Sequence, residues 1–267
     1  MKRVEPKIWK IAETKLNNDE VKEWLRYLDG EECLSHVSGN DGEKLIELAG
    51  RRCYKSFKPG LNPNVSKVRK ESSEYHKNTL STYHGSIDEH TSVTFALEGV
   101  SRVICMELIR HRAGTAFSQE SLRYVRLNDI EIWIPKIFSE FGSEVEEKAY
   151  KIFDETVDVC EKAQNSLSEL FGIEKMNKFD IKKKLTSAFR RIAPEGLATG
   201  IVFTANLRAL RHIIEVRTSV HAEEEIRLVF GMIAERMIRD YPMIFGDFKK
   251  IDTNDGLFEY VPEFRKV

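Results

Sequence analysis

The chain has 267 residues, 42 Lys plus Arg against 43 Asp plus Glu, and 41% hydrophobic and 10% aromatic side chains. This composition supports a packed core and excludes an intrinsically disordered chain. A formal net charge of −1 argues against a protein that grips a long phosphate backbone, so any anion site must be local and small.

In chain order, Asp19 to Leu28 puts Val21, Trp24, Leu25 and Leu28 on one helical face, closed by Asp29-Gly30. Asp41 is the predicted cap of a helix carrying Leu45, Ile46, Leu48 and Ala49. KPGLNPN (58–64) reads as a loop, and a polar helical run follows to Tyr83. TSVTFALEGV (91–100) is dense enough in β-branched and aromatic residues for a buried strand. Ser101 is the predicted cap of the next helix, SRVICMELIRHR, with Val103, Ile104, Leu108 and Ile109 toward the core. Its last residues are Arg110-His111-Arg112, and Ala113-Gly114 turns the chain into a loop. A long helix runs from Val145 to Phe171, with Tyr150, Phe153, Val157, Cys160, Gln164, Leu167 and Phe171 at three- and four-residue steps. Another spans Asp180 to Ile192, before Pro194. GLATGIVFTA (196–205) is a second buried strand, leading into the helix NLRALRHIIEVR and a closing helix from His221 to Asp240. Ile226, Val229, Phe230, Ile233 and Met237 form the inner face of that closing helix. Helices segregated from a few strands, without βαβ alternation, predict an α+β fold: a small, mostly antiparallel sheet packed with long helices in a single domain over 1–267.

Several signals are absent. There is no GxGxxG and no GxxxxGK[ST], so neither a Rossmann nor a P-loop nucleotide site is indicated. Cys33, Cys53, Cys105 and Cys160 form no CxxC pair, and His84 and His90 lack partners at ligand spacing, so no metal site is expected. The N-terminus has no apolar leader and no stretch reaches membrane-span length, which sets the expectation of a reduced, cytoplasmic protein.

Three stretches concentrate polar side chains in apolar surroundings: HGSIDEH (84–90), RHRAGTAFSQESLRY (110–124) and NLRALRHIIEVRTSVH (206–221). Each has a bland explanation. His84-Gly85-Ser86 alone reads as a turn, cations at the end of a helix suit its dipole, and Arg208 and Arg211 could pair with Glu215 or Glu223 on the surface. Ser121 has no Ser-His-Asp pattern to activate it as a nucleophile. Together the bland explanations weaken. Arg112, Arg123, Arg190 and Arg217 are permanent cations on separate near-apolar segments of a chain without basic excess. A phosphomonoester satisfies such groups by bidentate contacts, which points to a nucleotide pocket.

The same three stretches, in this order and spacing, resemble the motifs of the flavin-dependent thymidylate synthases, the ThyX family, over about residues 45–241. RHR followed by a spacer and SLRYV resembles that family's signature. HGSIDEHTSVTF and NLRALRHIIEVRTSVHAEEEI resemble the blocks that flank it. Departures are local. The spacer AGTAFSQE has eight residues where the family usually has one fewer, with the extra residue in the loop around 114–116. Gln119 stands where Glu is usual, Glu107 where Gln is common, and His212 where Asn is frequent.

The resemblance implies a homotetramer with shared active sites that turns dUMP into dTMP. FAD is the cofactor, with NADPH and methylenetetrahydrofolate as co-substrates. Carried over residue by residue, His84, Ser86, Arg110, His111, Arg112, Gln119, Asn206, Arg208 and His212 contact FAD. Glu107, Gln119, Ser121, Leu122, Arg123, Arg190 and Arg217 contact dUMP, with Ser121 and Arg123 on the phosphate and Arg217 at the uracil as the catalytic residue. No metal, nucleic-acid or membrane partner is implied, and no cysteine serves as nucleophile. The rival readings are a flavin oxidoreductase without methyl transfer and an arginine-rich RNA-binding protein, the latter needing a basic face with exposed aromatics.

Overall fold

The computed structural model describes residues 2–123 and 130–265. The Tyr124-Val125 end of the SLRYV motif therefore lies outside the described residues. The chain opens with β1 (Lys2–Arg3) and β2 (Lys7–Glu13), then α1 (Asn18–Tyr27), α2 (Asp41–Tyr54) and α3 (Ser72–Ser81). Next come β3 (Ser92–Ser101), α4 (Arg102–Leu108), β4 (Thr115–Gln119), β5 (Glu131–Ile132), α5 (Ser143–Leu170) and α6 (Phe179–Phe189). The chain closes with β6 (Ala198–Asn206), α7 (Leu207–Thr218), α8 (Glu224–Asp240), α9 (Pro242–Phe245), β7 (Phe248–Asp252) and β8 (Phe258–Pro262). Packing divides it into two compact units. The first comprises Met1–Lys7, Ala96–Arg110 and Phe117–Val202, and the second Ile8–Phe95, His111–Ala116 and Phe203–Val267.

The main sheet has the order β2-β3-β6-β4. Partner numbers run in opposite senses along it. Thr94 Oγ1 meets Thr204 Oγ1 at 2.9 Å, and the Arg102 amide donates to the Leu197 carbonyl at 3.0 Å. Likewise the Asn206 amide donates to Gly114 and the Glu120 amide to Gly200. The pairs β3–β6 and β6–β4 are thus antiparallel, as the α+β reading expects. Alternation explains which residues go inside: Val93, Phe95 and Leu97 of β3 and Ile201, Phe203 and Ala205 of β6 are buried. The phase of β3 shifts at Gly99, whose φ of +68° and 2.8 Å approach to the Glu5 carbonyl leave no room for a side chain.

In the second unit α7 packs on α8, and Leu207, Leu210, Ile213, Ile214, Ile226, Val229, Phe230, Ile233 and Met237 are buried. The spacing predicted this for α8. In the first unit Leu122, Ile130, Ile132, Ile134, Val157 and Leu197 form one core, with Tyr150 and Phe153 of α5 against it. Gln164 is buried and donates to the Phe189 carbonyl at 2.5 Å. No helix among the described residues is long and apolar enough to cross a membrane.

The structure corrects several local expectations. The cap of α2 is Asn40, which forms a capping box with Glu43; Asp41 is already helical. α4 ends at Leu108, and Ile109 is 42% exposed rather than inward. Arg110-His111-Arg112 therefore sits in the connection to β4, and the polar stretch 115–119 is a strand, because its backbone completes the ladder of β6. Phe171 lies just past α5 and is exposed. Arg211 does not pair with Glu215 or Glu223. It is buried against Asp247, with Nη1 to Oδ1 at 2.7 Å and Nη2 to Oδ2 at 2.8 Å. Glu223 instead caps α8, and Glu215 meets Arg265 at 3.6 Å.

Arg211 also donates to the carbonyls of Ile244 and Phe264, so it ties α7 to the C-terminal hairpin. Removing one member of such a pair strands the other charge in a dry site. Arg211→Leu is expected to lower the free energy of unfolding by about 3–5 kcal/mol, read from urea denaturation.

Candidate functional site

The second unit brings together the first and third polar stretches and residues His111–Ala116 of the second. Asn206 ends β6 and begins α7: its side chain accepts from the Ala209 amide at 2.8 Å, a helix cap, while its own amide donates to the Gly114 carbonyl at 2.8 Å. Gly114 has φ +69°, and a Cβ there would stand 2.3 Å from Asn206 Nδ2. The turn after Arg-His-Arg thus rests directly on the Asn-x-Arg start of α7. One turn of chain back, Arg217 Nε donates to His111 Nε2 at 2.8 Å. An accepting Nε2 carries no proton, so this His111 is a neutral imidazole protonated on Nδ1. The His212 ring stands edge-on to His111, 6.2 Å between centroids.

HGSIDEH joins the same unit. The Leu207 amide donates to the Thr91 carbonyl at 2.9 Å, and Arg208 pairs with Glu89. Asp88 is 4% exposed. Burial pushes its carboxyl up to about 7, against the opposing pull of Arg211 and Arg208. His84 is exposed, its ring edge-on to Tyr54 at 6.1 Å. With Ser86 it lines a cavity of about 310 Å³ walled by Gly50, Tyr54, Val65 and Tyr75, with Lys67 and Arg69 among its charged residues. Sequence reasoning missed Lys67 and Arg69, which lie in a loop with no motif to mark them.

The first unit holds the remaining candidates. Glu107 is half-buried on α4, and Gln119 ends β4. Ser121 Oγ accepts from the Arg123 amide at 3.4 Å. The Arg123 carbonyl is held by Thr186 Oγ1 at 2.9 Å, leaving its side chain exposed. Leu122 is different: its side chain is in the core with Ile130 and Leu197. Arg190 caps the end of α6 and is exposed.

Two groups of arginines contrast. Arg51, Arg211 and Arg227 are buried and paired with Glu47, Asp247 and Asp255. Arg110, Arg112, Arg123 and Arg190 are exposed and form no ion pair with any described residue. Arg110, Arg112 and Arg123 fall in the second polar stretch, while Arg190 lies outside all three; Arg52 and Arg191 are likewise exposed without an ion pair to a described residue. Such a donor set suits phosphorylated ligands.

Comparison with known proteins agrees with the motifs. The family profile described as "Thymidylate synthase complementing protein" matches residues 34–243. A flavin-dependent thymidylate synthase of Corynebacterium efficiens is 34% identical over 221 residues, 82% of this chain and 85% of the relative. That of Mycolicibacterium gilvum is 32% identical over 258 residues, 92% and 91% of the two chains. Among solved structures, ThyX of Helicobacter pylori with FAD and dUMP has a TM-score of 0.57 at 21% identity, covering 91% of this chain and 98% of that one. A UMP/dUMP methylase of Streptomyces cacaoi bound to 5-Br dUMP reaches 0.62 at 13% identity, over 92% and 96%. At these identities the structural likeness speaks for the fold.

Gly114→Ala tests the junction. The added methyl meets Asn206 in a backbone region that L residues avoid, so a loss above about 1 kcal/mol is expected in thermal unfolding. Gly60→Ala, also at positive φ but with nothing within 4 Å, separates the backbone share of that loss from the collision.

Proposed function

The chain belongs to the flavin-dependent thymidylate synthases, and from that membership we propose that it converts dUMP to dTMP with methylenetetrahydrofolate as carbon donor and NADPH as reductant. The observation that carries the reading is the meeting of two motifs at Gly114–Asn206 and His111–Arg217. Arg110, Arg112 and Arg208 supply charge for the pyrophosphate of FAD, with His84, Ser86, His111, Gln119, Asn206 and His212 as its other contacts. The Arg208–Glu89 pair is partly exposed and so weak enough to exchange for a ligand. When bound, FAD supplies the hydride chemistry that no side chain provides.

For dUMP, Ser121, Arg123 and Arg190 hold the phosphate, and Glu107 and Gln119 border the nucleoside. The part played by Leu122 is its backbone. Arg217 is the catalytic residue. A guanidinium stays protonated at any working pH and cannot act as a base. It stabilises negative charge developing on the uracil O/N3 edge, which makes C5 nucleophilic toward the one-carbon unit. The bond from its Nε to His111 fixes the rotamer beforehand, so little reorganisation accompanies the reaction.

No thiol takes the nucleophile's role in this scheme. Cys33 is buried and its thiol is pushed up to about 11 by burial, with Glu47 adding to this and Arg51 opposing it; Cys105 is also buried. We place the reaction in a single synthase domain working in the cytoplasm as a homotetramer with shared sites. Supporting the assembly, Ile152, Val159 and Leu170 of α5 and Phe179 of α6 are each more than 60% exposed, apolar surface of the kind that subunit contacts cover.

The test is flavin content together with tritium release from [5-³H]dUMP. Release that depends on both folate and NADPH is expected. A flavin-loaded protein without release indicates a bare oxidoreductase, and a colourless one that binds RNA overturns the reading altogether. Arg217→Ala is expected to keep its flavin and lose about 10²–10³ in turnover; near-normal dTMP formation would remove Arg217 from the mechanism. Cys33→Ala, Cys105→Ala and Cys160→Ala are each expected to retain tritium release, and loss of activity tracking one thiol would point to a cysteine nucleophile instead.

A further inference from the structure

Among the described residues, two buried polar atoms on neighbouring strands of the first unit have no hydrogen-bond partner: Gln119 Nε2 and Thr199 Oγ1. Thr199 is 6% exposed, in the middle of β6. The ladder fixes their relation. The Glu120 amide bonds to the Gly200 carbonyl at 3.0 Å, so the antiparallel register sets Thr199 opposite Ser121 and diagonal to Gln119. Directly opposed residues have Cβ atoms about 4.5–5.5 Å apart, and diagonal ones stay within reach of a long side chain. By alternation, Gln119 and Thr199 share one face of the strand pair, the face on which Ile201 is buried, and Ser121 follows two residues past the end of β4.

Burying a hydroxyl or an amide without a partner is costly, and valine would keep the shape of threonine without that cost. The sequence retains both groups beside Ser121, between Leu197 and Ile201. We propose that Thr199 is a further dUMP-binding residue, and that its hydroxyl and the Gln119 amide together donate to one carbonyl oxygen of the nucleobase. Two neutral donors in apolar surroundings suit a neutral acceptor, whereas a phosphate draws on the permanent charges of Arg123 and Arg190. The same arrangement gives a physical reason for Gln rather than Glu at 119. A carboxylate has no proton to offer a carbonyl, while the amide has two.

The proposal rests on the reading of Gln119 and Ser121 as dUMP contacts, and the experiment keeps the two apart. Folate-dependent tritium release by the wild type tests the underlying reading. Thr199→Val tests the proposal, since it removes the hydroxyl and keeps the shape. A purely structural threonine left unpaired would become no less stable as valine, with an unchanged KM for dUMP. A binding threonine gives an unchanged or higher melting temperature without dUMP, unchanged flavin content, and a KM for dUMP raised about 3- to 10-fold, the loss of one hydrogen bond. If Thr199→Val raises KM much less in the Gln119→Ala background than in the wild type, both side chains serve one ligand group. An unchanged KM for dUMP in Thr199→Val overturns the proposal, as does a melting temperature that falls in step with activity.

Discussion

Asn206 ties three elements of this molecule to one point. It stands where β6 becomes α7. Its carbonyl oxygen caps the helix through the Ala209 amide, its backbone amide closes the ladder to Gly114, and its side chain fills the space a Cβ on Gly114 would need. A helix start, a strand end and a left-handed turn are thereby locked to one point. Everything that α7 carries toward the turn, including the Arg217–His111 bond near its other end, inherits its position from that junction. A cap alone contributes on the order of 1 kcal/mol. The larger consequence is geometric, because two segments about a hundred residues apart in sequence acquire a fixed relation.

The helices were legible because each buries one face with a regular period. α8 is the clearest case, since Ile226, Val229, Phe230, Ile233 and Met237 follow that period and all are buried. The same logic hid the smaller strands. β2, KIWKIAE, interleaves lysines with apolar residues and has no fully buried position, and β4, TAFSQ, owes its conformation to the backbone ladder with β6. Helix ends were misplaced where side-chain capping outweighed pattern. At α2, Asn40 and Glu43 bond each other's backbone, so Asn40 takes the capping place that Asp41 by itself would have filled. Of the site, the motif residues were legible in sequence, while their contacts were not. Nothing in NLRALRHIIEVR distinguishes Arg211, buried against Asp247, from Arg217, bonded to His111.

Burial supplies that distinction. A guanidinium removed from water must find an acid, and Arg51, Arg211 and Arg227 each have one within 2.7 Å. Their worth is structural: Arg51 also holds the carbonyls of Ser56 and Arg69, pinning both ends of the loop that walls the cavity beside His84. The cations at 110, 112, 123 and 190 have no such duty. Selection for stability alone has no use for them, since isolated surface charges contribute little, and a chain with 43 acidic residues had carboxylates to spare for pairing.

Unpaired buried groups sharpen the same point, because two kinds occur. His76 and Glu47 Oε2 lack hydrogen-bond partners but face each other at 4.0 Å, fully enclosed. Burial lowers the imidazole to about 4, with a backbone contact from Glu43 opposing this and Arg51 adding to it, so it stays neutral and pays only a modest desolvation cost. That pair lies between α2 and α3, where Glu47 also holds Arg51. Gln119 Nε2 and Thr199 Oγ1 have no hydrogen-bond partner among the described residues, and Thr199 lies on β6 between buried Leu197 and Ile201. A folded chain tolerates an unsatisfied polar atom where something absent from the folded chain completes it. The distinction between an internal compromise and a waiting contact therefore lies in what surrounds the orphan, and here the surroundings are the segment we propose for the nucleotide.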